Sequence, residues 1–247
     1  VSGVLESRSK LFSLKEVLLY PLYGQTYLDR ETYDFLNRLS RHFSGRTVTI
    51  IDIGANKGWF VRMACRFFVF DRIYAYDPVE HPSLVSLQSK ISGLSIRKVL
   101  LGRGRETKQF YKYGCDGLSS IMPLNPEFYI PGNFDTSLKE TVELKSISLS
   151  EDLKSIGWSL QSPVIIKIDT QGAELEILEG SRELFELGLV SAVLIELIVQ
   201  PMYKGQTSWL KILQFFEPFG FDILDMIVAL RQPDQSISVI DAIFIKR

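Results

Sequence analysis

The stretch Ile50-Ile51-Asp52-Ile53-Gly54-Ala55-Asn56-Lys57-Gly58 decides the fold. A short apolar run ends on an acid, two glycines follow four positions apart, and a second apolar run opens at Trp59. Strand, glycine turn and helix in that order form the opening unit of a doubly wound α/β sheet. Gly54 lets the backbone approach a ligand, and Gly58 permits close strand-to-helix packing. Asp52 brings a carboxylate to the carboxyl end of the strand, the edge where open α/β sheets bind ligands.

The same rhythm continues downstream. Strands are expected at 48–53, 72–76, 96–101, 164–168 and 192–197, with helices at 59–70, 81–91, 173–187 and 208–216. The last two strands, 221–226 and 237–245, are joined by a turn around Pro233-Asp234 and must be antiparallel to each other. The predicted sheet is mostly parallel and seven-stranded, in order 3-2-1-4-5-7-6, with only the last strand reversed. Residues 102–150 interrupt the alternation. Strands at 108–113 and 142–149 flank a loop, 114–137, rich in Gly, Ser, Pro and Asn, which is expected to cover the substrate side. Residues 1–46 read as a helical extension, with a turn at 20–24. In its helix Asp29 is the expected N-cap, Leu36, Leu39 and Phe43 share one face, and Gly45 follows the end.

Composition narrows the class. A formal net charge of -1 on 247 residues gives no electrostatic grip on nucleic acid or an acidic membrane. The most apolar run, 59–70, is too short to span a membrane and is interrupted by Arg62 and Arg66. The chain opens without a signal-peptide pattern. Two cysteines, Cys65 and Cys115, make no disulfide framework, and with only His42 and His81 besides they offer no zinc spacing. A reducing, cytoplasmic setting follows.

A second acid, Asp77, ends the next strand 23 residues after Gly54. A carboxylate there accepts two hydrogen bonds from a ribose diol, and the spacing is that of nucleoside-binding folds. A dinucleotide oxidoreductase would carry G-x-G-x-x-G to cradle a pyrophosphate. Here the run is D-x-G-x-N-x-G, with Asn56 in place of the second glycine. An acid before the turn suits an ammonium-bearing ligand without phosphate, which describes S-adenosylmethionine. A nicotinamide-dependent oxidoreductase and a non-catalytic cofactor-binding module are the alternatives.

At this point the chain resembles the FkbM family of methyltransferases. The resemblance rests on Ile51 to Gly58, Tyr76-Asp77-Pro78, Gly117-Leu118-Ser119-Ser120, Ile166-Lys167-Ile168-Asp169-Thr170-Gln171-Gly172-Ala173-Glu174 with Leu178-Glu179-Gly180, Ile195-Glu196, and the tail from Tyr203-Lys204-Gly205-Gln206 to Asp241-Ala242-Ile243-Phe244. It spans about 47–247, the expected methyltransferase domain, with 102–150 as its substrate-side insertion. It implies a Rossmann-like class I methyltransferase fold, S-adenosylmethionine as cofactor, and O-methylation of a sugar or natural-product hydroxyl, so the expected partner is a small-molecule or glycan acceptor. Asp77-Pro78 stands where Glu-Pro is common in the family.

Candidate residues follow. Asp52, Gly54, Asn56, Gly58, Asp77, Ser119 and Ser120 are expected at the cofactor. Lys167 lies in an apolar strand and needs a carboxylate partner. Strand alternation puts Asp169 on its face, and Glu196 ends the next strand. Glu174 shares a helix face with Leu178, Ser181 and Phe185. Asp169 and Glu174 are the expected catalytic acids, with His81 as a further base candidate that equally suits a surface helix start. A carboxylate-held Mg²⁺ is the alternative way to activate a hydroxyl, and no metal ligand is assigned. Trp59, Tyr203 and Trp209 suit either stacking on a substrate or core packing.

Overall fold

A computed structural model describes residues 28–158 and 162–247. The expected turn at 20–24 lies outside the described residues. Ten strands are named β1 (Thr47–Ile53), β2 (Val69–Tyr76), β3 (Leu94–Arg97), β4 (Leu100–Leu101), β5 (Thr107–Tyr113), β6 (Leu138–Ile147), β7 (Val164–Ile168), β8 (Val190–Ile198), β9 (Phe221–Arg231) and β10 (Ile237–Lys246). Seven of them form the main sheet in order β3-β2-β1-β7-β8-β10-β9. That is the expected order, and β10 is antiparallel to both of its neighbours.

Helices α1 (Leu28–His42), α2 (Trp59–Phe67) and α3 (Pro82–Gln88) cover one face. Their apolar residues meet Val48, Ile50, Ile73, Ile165, Leu194 and Ile243. Helices α4 (Leu149–Ser155), α5 (Glu174–Gly180), α6 (Arg182–Glu186) and α7 (Trp209–Phe216) cover the other. There they meet Ile51, Ile53, Ile166, Ile168, Val193 and Ile195. The two sets alternate along each strand, because strand side chains point to opposite faces with a period of two. Both faces of the central strands are therefore apolar, as a parallel sheet covered by helices requires.

Several boundaries differ from the sequence reading. The apolar run 59–70 contains two elements: α2 stops at Phe67, Phe68 turns extended, and Val69 and Phe70 begin β2. Continuous apolar character cannot separate a buried helix from a buried strand. The expected third strand, 96–101, is split. Leu94–Arg97 joins the main sheet, whereas Leu100 and Leu101 pair with Ser146 and Ile147 in a second, three-stranded sheet of order β4-β6-β5. The expected helix 173–187 breaks at Ser181 into α5 and α6. Leu149 opens α4, not the end of a strand, because Ser148 and Glu151 close a capping box there. Asp29 lies inside α1, which already includes Leu28. Leu36, Leu39 and Phe43 are buried as one face, and α1 thereby joins the main core.

Candidate active site

The carboxyl ends of β1, β2, β7 and β8 open into a cavity of about 440 Å³, within the range of small-molecule sites. Loop 114–137 and β5 supply another wall through Phe110, Cys115, Ser119 and Phe134. Phe35 and Leu36 of α1 and Ile227 of β9 also reach it.

The first lobe lies around the glycine turn. Gly54 has φ +75, and a Cβ there would sit 1.8 Å from the Asp169 carbonyl oxygen. Only glycine allows the ends of β1 and β7 to approach so closely. The Gly54 and Ala55 amides both donate to the Tyr76 carbonyl at 3.0 Å, so the turn is tied to the end of β2. Asp77 lies against it: one carboxylate oxygen accepts from the Asn56 amide and the other from the Val79 amide, each at 2.8 Å. Two bonds leave a carboxylate with spare acceptor sites. Asn56 holds a left-handed φ of +44, and its buried Oδ1 has no hydrogen-bond partner. Ser119 lines this lobe.

The second lobe is a row of charge above the apolar core on the α1–α3 face. Lys167 Nζ lies 3.3 Å from Asp169 and 3.4 Å from Asp52, and donates to the Gly54 carbonyl at 3.0 Å. Glu196 and Asp241 stand opposite each other across β8 and β10. Burial pulls the Lys167 ammonium down, but Asp169 and Asp52 outweigh it and hold it raised. Burial drives the Asp52 carboxyl up to about 6 against the pull of Lys167. Burial, with the Asp169 charge, brings Asp241 up to about 7. Glu196 is raised well above the carboxylate range by burial, then by Asp169, Asp241 and Glu174. Among the described residues no group of three or more His, Cys, Asp or Glu is arranged to hold a metal ion.

Four expected site residues sit elsewhere. Asp52 is completely buried and does not line the cavity; it faces Lys167, whose ammonium takes up its charge. Gly58 packs on α3, where a Cβ would meet Leu87 at 2.8 Å, so the close contact it permits is between helices. Ser120 is buried and donates to the Gln171 carbonyl at 2.6 Å, which makes it a strut between loops. Glu174 is buried on the predicted face, but its Oε1 accepts from the Thr170 amide, the Thr170 hydroxyl and the Gly172 amide. It staples the loop after β7 instead of facing an acceptor.

Three further expectations are refined. Lys167 pairs with Asp169 and Asp52, not with Glu196. His81 begins α3 but is buried, with Nε2 3.6 Å from Asp77. Tyr203 is fully buried and its hydroxyl meets the Leu118 carbonyl and Gln171, so it packs the interior. Trp59 lines the cavity, whereas Trp209 packs on the α5–α7 side of the sheet.

The sequence matches the methyltransferase FkbM domain over residues 52–223. The chain belongs to the FkbM methyltransferase family. It is an enzyme that uses S-adenosylmethionine. No curated protein matches the sequence. Solved structures similar to this FkbM methyltransferase include magnesium protoporphyrin IX methyltransferase from Synechocystis PCC 6803 with bound SAM, at 11% identity and TM-score 0.46, over 98% of this chain and 96% of that one. An rRNA methylase from Streptococcus thermophilus is similar at 12% identity and TM-score 0.44, over 87% and 94% of the two chains. So is 1,6-didemethyltoxoflavin-N1-methyltransferase from Burkholderia thailandensis, at 11% and 0.43, over 90% and 81%.

The cavity fits that cofactor. It offers Asp77 with spare acceptor capacity, the orphaned Asn56 oxygen, and carboxylates instead of a phosphate-binding cradle. Among the described residues no helix is long and apolar enough to cross a membrane.

The buried ion pair makes a prediction of its own. Lys167→Met leaves Asp52 buried and uncompensated, a loss of about 3–5 kcal/mol where the acid stays charged. A carboxyl raised in the folded state contributes stability that is present below its unfolded value of 3.8 and lost as pH rises through its folded value. Without Lys167 that folded value climbs above about 6. Urea unfolding should therefore find Lys167→Met weakened more at pH 8 than at pH 5, and adding Asp52→Asn should recover much of the loss. An equal deficit at both pH values would show that Asp52 is not its source.

Proposed function

We propose that this enzyme O-methylates a hydroxyl of a sugar or hydroxylated natural product, with Asp169 as the acceptor-side base. The observation that carries the reading is the Asp169 carboxylate at the end of β7, lining the cavity beside the glycine turn and steadied by Lys167 and Gln171. In this reading Asp77 accepts hydrogen bonds from the ribose diol, and Asn56 and Ser119 complete the cofactor lobe together with the Gly54 turn. S-adenosylmethionine supplies a methyl group on a sulfonium that is already activated toward a nucleophile. The protein's part is to bring a hydroxyl into line and to take its proton. Segment 102–150 serves as the wall on the substrate side.

The test is an incubation of cell extract with a labelled methyl donor, followed by the chemistry of the product. A labelled methyl ether on a hydroxyl supports the proposal; label only on nitrogen, carbon or nucleic acid rejects it. The cofactor lobe is tested separately. Asp77→Ala should weaken S-adenosylmethionine binding tenfold or more in calorimetry, since each hydrogen bond to a charged group is worth about 1.5–3 kcal/mol. Asp77→Glu should be milder. Unchanged affinity in the alanine variant would put the ribose elsewhere.

A further inference from the structure

Gln171, two residues beyond Asp169, meets three partners at this site through its side chain. It is buried and holds a φ of +59, in the left-handed region. A non-glycine residue keeps that conformation where its surroundings over-determine it. Here they do. Its Nε2 donates to Asp169 Oδ1 at 2.9 Å and to Glu196 Oε2 at 3.1 Å. Its Oε1 accepts from the Tyr203 hydroxyl at 2.9 Å, and its main-chain carbonyl accepts from Ser120. The amide nitrogen faces the two acids and the oxygen faces the Tyr203 hydroxyl.

Asp169 and Glu196 repel each other when both are charged. The groups that face them are Lys167 from β7, Asp52 from β1, Glu174 from α5 and Asp241 from β10. Lys167 is the one cation in that set, and it is shared with Asp52. A primary amide with two hydrogens, one for each acid, holds the pair side by side without adding charge. Anchoring loop 114–137 requires only the other half of Gln171, its Oε1 and carbonyl. The bonds to both acids contribute nothing to that task.

We propose that Gln171 is a positioning residue of the methyl-transfer site. Its amide fixes Asp169 and Glu196 side by side at the acceptor end of the cavity, and through Tyr203 and Ser120 it links their placement to the loop that walls the cavity. The inference deepens the reading of Asp169 as the acceptor-side carboxylate and rests on it.

Carboxyl titration by NMR tests this, on protein labelled with ¹³C in its Asp and Glu side chains. Asp169→Asn and Glu196→Gln assign the two resonances. Gln171→Met keeps length and shape without the donors. Gln171→Gly relieves the backbone conformation and gives a second, well-folded comparison. In both Gln171 variants Glu196 should titrate upward by about one pH unit or more, because its ionised form loses the hydrogen bond from the Gln171 amide. Affinity for S-adenosylmethionine, read by calorimetry on the same proteins, should stay near that of the wild type. Wild-type titration in both variants, with only a lower melting temperature, would make Gln171 a loop anchor and overturn the proposal. The titration needs neither acceptor nor cofactor, so it decides the positioning role separately from the labelled-methyl assay that decides the acceptor.

Discussion

Gly54→Ala is expected to abolish cofactor binding and to cost about 2–5 kcal/mol of stability. Two penalties combine. The residue must hold φ +75 with a side chain, and the new methyl would lie 1.8 Å from the Asp169 carbonyl oxygen and 2.9 Å from its carbon. Those are backbone atoms at the end of β7, so no rotamer change relieves the overlap. The strand ends have to part. Parting them moves the Gly54 carbonyl from Lys167 and the Asn56 amide from Asp77, so both lobes of the cavity lose their geometry together. Gly205→Ala is the matching control. Its φ is +81, but nothing lies within 4 Å of the added methyl, so it should carry the conformational cost alone, about 1–2 kcal/mol. Unfolding and calorimetry on both variants separate the contributions. If Gly54→Ala melted like Gly205→Ala and still bound S-adenosylmethionine, the close approach of β1 to β7 would not be what shapes the pocket.

The contrast between these two glycines shows what a sequence can carry. The strand order was readable because alternation and a tight C-terminal turn leave few topologies. The position of the glycine turn, Asp77 and Asp169 at the cavity was readable because each ends a strand at the one edge where such sheets bind ligands. Contacts between distant segments were not readable. Asp52 resembled a ligand-facing acid until β1 and β7 paired in register and put Lys167 opposite it. Glu174 was correctly placed on the buried face of its helix, but the loop donors that saturate its Oε1 depend on the left-handed turn at Gln171 and Gly172. Gln171 gathers groups from 120, 169, 196 and 203, and no local pattern announces such a meeting. The one available signal was a long polar residue next to a glycine, two positions after a strand-ending acid. The apolar run 59–70 misled for a different reason: a helix and a strand buried in one core share the same composition.

Asp169→Asn is expected to lower turnover by about 10²–10⁴ where proton removal limits the rate. Asparagine keeps the shape of the side chain but cannot take a proton from a hydroxyl. Lys167 holds one oxygen of Asp169 and the Gln171 amide the other. These contacts leave a base that is oriented and still open to the cavity. Cofactor affinity should change little, because Asp77, the proposed ribose acceptor, lies at the end of a different strand. The substitution also removes a negative charge that raises Glu196 and Asp241. Both should titrate lower in the variant, which reports independently that the mutation reached the intended network. Three measurements on one protein then divide the explanations. A catalytic base predicts intact binding, a near-native melting temperature and lost turnover. A purely structural acid predicts a lower melting temperature, with activity falling only in proportion to the folded fraction. Glu174→Gln should follow the second pattern, since its carboxylate closes the 170–172 loop and does not line the cavity. Wild-type turnover in Asp169→Asn, measured on the acceptor that the labelled-methyl assay identifies, would remove Asp169 from the mechanism and pass the proton to another group at the cavity, with His81 beside Asp77 as the first to examine.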